Sequence, residues 1–123
     1  MSALTTQRLI AAVFLILGGW CLLSPSSVIE LAIRPEYQSE DFLATFAMAC
    51  FGAQACLFGL VALTARFTKL TFAAYGIALL PFFVFNWYFY FEVPVLTVIG
   101  LVDFVGNITM LALCWHGWRV AER

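Results

Sequence analysis

Residues 42–65 read FLATFAMACFGAQACLFGLVALTA, twenty-four positions without a single charged side chain. About 20 apolar residues are enough for a helix to cross a hydrocarbon layer roughly 30 Å thick. The run is continuous rather than alternating, so it does not read as a strand of a membrane barrel, whose faces differ at every second residue. A single helix satisfies all of its own backbone N–H and C=O groups, which lipid cannot do for it. The stretch therefore predicts a membrane-spanning helix.

Three further runs of the same kind surround it. They cover about 5–23, 70–91 and 94–118, giving spans at 5–23, 42–65, 70–91 and 94–118 in one domain over 1–123. Arg8 followed by Leu9–Leu23 superficially resembles a secretory leader, but small residues before a cut are missing, and the segment reads as the first span. Composition agrees, with 64% hydrophobic residues and 11% charged, and a mean hydropathy of +1.00. Soluble domains carry about a quarter charged residues. A short chain also has too much surface for water to cover this much apolar side chain. Six Lys+Arg against seven Asp+Glu leave no basic field, which argues against nucleic-acid binding. No polar stretch is long enough for a soluble catalytic domain.

The span ends carry helix signals. Ser39 with Glu40 and Asp41 predicts an acidic first turn for the second span, and Arg66 its basic end. Thr68 is placed to cap the third span, and Pro94 to occupy the first turn of the fourth. The linker Ser24–Asp41 is the one long connection. Within it, Ser24-Pro25 followed by Val28, Ile29, Leu31 and Ala32 predicts a short helix lying on the outer membrane surface. The two short connections predict spans two, three and four packed as consecutive antiparallel neighbours. Arg8, Arg66, Lys69, Arg119 and Arg123 hold five of the six basic charges at one end of the spans. The positive-inside rule puts that end, with both termini, in the cytoplasm, as expected for a multi-pass protein of a bacterial inner membrane. Tyr88 and Tyr90 then mark the outer interface, and Trp115 and Trp118 the inner one. The expected fold is thus all-α: an integral membrane four-helix antiparallel bundle with a short interfacial helix in its first, outer loop.

Asp103 is the most informative polar residue. A fourth span beginning at Pro94 places it about nine residues in, near mid-membrane, where a charge costs at least about 2.5 kcal/mol and demands a partner or a function. Asn107 follows at i+4 on the same face. Gln54 in the second span and Asn86 in the third fall within roughly two turns of that depth. These four residues predict a buried polar cluster, serving either to fix helix pairing or as a protonatable ligand or ion site. Pro81 frees the carbonyl of Ile77 and favours a kink that opens space beside Asn86. The aromatic run from Phe82 to Phe91, with Phe85, Trp87 and Tyr88 at its centre, points in every direction. It predicts an aromatic pocket or docking face. Ala49, Gly52, Ala53, Ala55, Cys56 and Gly59 in the second span, and Gly18-Gly19 in the first, suit close helix contact.

Catalysis finds little support. No nucleophile elbow, phosphate loop or dinucleotide fingerprint occurs, and no catalytic residue is assigned. His116 is the sole histidine, at the inner end of the fourth span. Cys21, Cys50, Cys56 and Cys114 form no Cys-x-x-Cys pair, so neither a metal nor another cofactor is expected. The expected role is a non-catalytic accessory or scaffold-like subunit packing with membrane lipid, partner subunits or further copies of itself. The alternative is a binder or transporter of a small hydrophobic molecule, built around Asp103.

Overall fold

Small residues draw the first pair of helices together. In a computed structural model that describes residues 1–122, α1 (Ala3–Leu23) lies along α3 (Phe42–Thr64). A Cβ on Gly18 would stand 2.7 Å from Cβ of Ala55, and one on Gly52 would stand 2.6 Å from the Gly18 carbonyl oxygen. The backbones therefore approach closer than any larger side chain permits, and dispersion holds them there. Further along the pair, Gly59 faces Phe14 and Leu15. Gly19 meets nothing within 4 Å and plays no part.

The remaining elements are α2 (Pro25–Ala32), α4 (Lys69–Trp87) and α5 (Val102–Val120). A π-helical turn at Tyr88–Glu92 extends α4, and a 3₁₀ turn at Ile99–Leu101 leads into α5. With these turns, four helices are long and apolar enough to cross a membrane. Their outward faces agree, since Ile16, Ile77 and Val105 are 71%, 68% and 60% exposed and need an apolar solvent. The chain is all-helical; among the described residues, the only pairing of strand type is the isolated bridge between Ile33 and Leu96.

α5 packs on both α1 and α4. Its Gly106 lies against Leu17 and Val13, and its Gly117 receives the ring of Phe72 from the first turn of α4. The start of α4 meets the end of α5, with the Lys69 ammonium 5.5 Å from the Trp118 ring centre. At the opposite end Phe83 and Phe104 pack edge to face at 5.9 Å. The helices thus follow one another in the order α3, α1, α5, α4. α3 and α4 pack little against each other although only four residues separate them. The expected consecutive packing of spans two, three and four is accordingly replaced for that pair, because the small-residue face of α3 is taken by α1.

Gln7 ties down the connection between α3 and α4. Its Nε2 donates to the carbonyls of Ala62 (2.9 Å) and Ala65 (2.5 Å), and its Oε1 accepts from the Phe67 N–H at 2.9 Å. Beside it Phe14, Phe58, Phe67, Phe72 and Tyr75 form a group of contacting rings, and the Tyr75 hydroxyl donates to the Phe58 carbonyl at 3.2 Å. This is where α3 and α4 do touch.

One predicted helix start and one predicted cap move. Pro94 does not open the fourth helix; Val93–Val98 is irregular, and helical structure begins at Ile99. β-branched residues crowd this stretch, and its backbone is taken up by α2 instead. The Arg34 N–H donates to the Val95 carbonyl (2.7 Å), Arg34 Nε to Leu96 (2.8 Å) and the Thr97 N–H to Ala32 (2.9 Å). Thr97 then caps the turn, its Oγ1 accepting from the Gly100 N–H at 3.1 Å while donating to the Leu31 carbonyl at 2.6 Å. In α3 the N-cap position is held by Asp41, whose side chain makes no capping bond, and Ser39 accepts from the Asp41 N–H at 3.1 Å. Thr68 caps α4 as expected, in a reciprocal box with Thr71.

Candidate functional site

Three polar side chains meet where the end of α4 crosses the start of α5. Asn86 sits in the last turn of α4, Asp103 in the first turn of α5, and Asn107 one turn further. Asn86 Nδ2 donates to Asp103 Oδ2 at 3.1 Å, and Asn107 Nδ2 donates to the same oxygen at 3.2 Å. The second hydrogen of Asn107 Nδ2 reaches Asn86 Oδ1 at 3.0 Å, closing a three-membered ring of bonds. Both amides are buried, Asn86 5% and Asn107 3% exposed, while Asp103 is half-buried. The ring uses three of the four amide N–H bonds and engages only one oxygen of the acid. Since Oδ2 accepts two N–H groups, Oδ1 is the carboxyl atom left for another partner.

The late start of α5 changes the electrostatics of Asp103. It lies four residues past Ile99, about 6 Å along the helix, and not at mid-span. There the unpaired N–H groups of a helix N-terminus favour a negative group. Dipole and amides together explain how a carboxyl is accommodated among apolar helices.

Gln54, the fourth expected member, stays outside the ring. It is exposed and lies about 200° around α3 from Gly52, the residue that faces α1. It nonetheless lines the same cavity as Asp103 and Asn107. That cavity holds about 490 Å³ and is walled by all four long helices, with Leu17, Phe51, Phe58, Tyr75, Ala78 and Phe82 among its lining. It occupies the space between α3 and α4. A second cavity of about 410 Å³ lies towards α2, bounded by Trp20, Val28, Met48, Phe51, Asn86 and Asp103 among others. Both fall within the range of ligand pockets, roughly 300–1,000 Å³.

Phe85, Trp87 and Tyr88 line neither cavity; all three are exposed, the first two on α4 and Tyr88 in the π-helical turn. The aromatic walls come instead from Phe14, Phe51, Phe58, Tyr75 and Phe82, spread over three helices. Among the described residues no group of three His, Cys, Asp or Glu side chains is placed to hold a metal ion. The cysteines are free thiols, with Cys21 and Cys114 buried. No protein family, curated protein or solved structure matches this chain.

Gln7 escaped the sequence reading. It sits among Thr5, Thr6 and Arg8 near the start of α1, where a polar side chain draws no notice, and only the path of the α3–α4 loop shows its role.

Proposed function

We propose that this chain is a four-span protein of a bacterial inner membrane that binds or carries a small hydrophobic molecule. One observation carries the reading: a cavity of about 490 Å³ among the four long helices, apolar except where Gln54, Tyr75, Asp103 and Asn107 touch it. An apolar hollow with a few convergent polar groups is the usual form of a small-molecule site. The bundle is antiparallel in this reading, supported by Asn86 beside Asp103 at one end of the α4–α5 pair and Lys69 beside Trp118 at the other. Basic residues gather at the end holding the α3–α4 connection, which favours cytoplasmic termini. α2 then lies at the outer interface, its Val28 and Ala32 turned inward. The activity is non-catalytic, with the polar ring orienting the bound molecule.

The test is mass spectrometry of apolar molecules extracted from the purified protein and from Ala78→Phe, which fills the cavity from α4. A compound retained by the parent protein and lost from a folded Ala78→Phe supports the reading. Equal extracts from both contradict it.

An accessory role beside partner subunits or further copies has its own support. A groove of about 680 Å³ runs between the outer faces of α4 and α5, lined by Ile77, Leu80, Leu111, Trp115 and Trp118 among others. Lipid or a neighbouring helix would fill it. A partner subunit co-purifying in mild detergent would favour this role.

A further inference from the structure

The two inner cavities share four lining residues: Leu17, Phe51, Phe82 and Asp103. They therefore adjoin, and these four side chains form the waist between them. On α3 the outer cavity is bounded from Ala44 and the inner one as far as Phe58, so together they follow fifteen residues, about 21 Å of helix. Three of the waist residues are apolar, and the fourth offers Oδ1 of a carboxyl whose other oxygen is held by two neutral amides. The hydrogen bonds to the acid thus come without any cationic donor. The complementary ligand is elongated and apolar, with its one cationic donor near the middle of its length and not at an end.

Resting on the binding reading above, we propose that the two cavities form one site for a lipophilic secondary amine. Its nitrogen faces Asp103 at the waist, and one apolar arm lies in each chamber. A terminal amine of the same carbon count would have to bury its head at the waist and send its whole tail into one chamber. An alcohol of the same shape would present a donor without the charge.

The experiment measures binding of di-n-octylamine, n-hexadecylamine and hexadecan-8-ol to the protein in lipid nanodiscs. The expected order puts di-n-octylamine ahead of each of the others by about tenfold or more. Asp103→Asn, nearly isosteric and able to keep the amide ring, should remove that advantage while the protein stays folded. Ala47→Phe, filling the outer chamber, and Ala78→Phe, filling the inner one, should each weaken di-n-octylamine. Equal affinity for the secondary and terminal amines overturns the waist geometry, and that comparison needs no variant. Equal affinity for amine and alcohol, or unchanged amine binding in Asp103→Asn, overturns the charge pairing. If none of the three probes binds but an extracted apolar molecule is lost in Ala78→Phe, this inference fails while the binding reading stands. If nothing binds and nothing is extracted, both fail.

Discussion

At the residue scale, Asp103 and Gln7 carry the polar organisation of an otherwise apolar molecule. Asp103→Asn keeps an acceptor where Asn86 and Asn107 donate, so its melting temperature should stay close to that of the parent. Asp103→Leu leaves two buried amides with fewer partners and should lose about 1–2 kcal/mol, read as a lower melting temperature in detergent. Equal melting of the two variants would show that the ring contributes nothing to stability. Gln7→Leu removes three bonds to the α3–α4 connection at a residue 1% exposed, and leaves the carbonyls of Ala62 and Ala65 and the Phe67 N–H unpaired. The expected loss is about 1–3 kcal/mol, with faster proteolysis at the α3–α4 connection as a second readout. A variant as stable and as protease-resistant as the parent would remove Gln7 from this role. The proximity of Asn86, Asp103 and Asn107 was legible because an acid and an amide at i+4 share a helix face wherever the helix begins. The exclusion of Gln54 was not, because depth in a span says nothing of which side of the helix turns inward.

At the element scale, contact is decided by small residues and by caps. Gly52→Ala places a methyl against the backbone of α1, whereas Gly19→Ala enters open space. The first should destabilise the protein by about 1–3 kcal/mol, and the second should be neutral or slightly stabilising through its better helix propensity. Similar melting temperatures for the pair would contradict the α1–α3 packing described. Thr97→Val removes the Oγ1 that caps the turn into α5 and should cost about 0.5–2 kcal/mol. The extents of α1, α2 and α3 followed from hydrophobic runs and the Ser24-Pro25 start. The beginning of α5 did not, since Pro94 fits a helix start equally well, and only the bonds of Arg34 to Val95 and Leu96 and of Thr97 to Ala32 draw the segment away. Of the two readings of the aromatic run, the pocket is the one the structure removes, and the exposed rings still fit a docking face. Phe85, Trp87 and Tyr88 stand together in sequence, but the cavity walls take single rings from several helices.

At the scale of the whole molecule, the order α3, α1, α5, α4 leaves its outermost pair loosely packed along most of its length, and that gap is the cavity. Sequence periodicity could not reveal it, because all faces of these helices are nearly equally apolar and hydropathy carries no record of which neighbour each face meets. The proposed sidedness is tested by single cysteines at Ser2 and Gln38 in a cysteine-free background. A membrane-impermeant thiol reagent applied to intact spheroplasts should label Gln38→Cys and spare Ser2→Cys; the reverse pattern would invert the topology. The central claim is that the space between α3 and α4 admits an apolar molecule. The most direct measurement is photolabelling in nanodiscs with a small apolar diazirine, followed by peptide mass spectrometry. The account predicts adducts on the inward residues Leu17, Tyr75 and Phe82, suppressed in Ala78→Phe, alongside labelling of lipid-facing positions such as Ile16 and Val105. Labelling confined to the lipid-facing positions, and unchanged by Ala78→Phe, would contradict it.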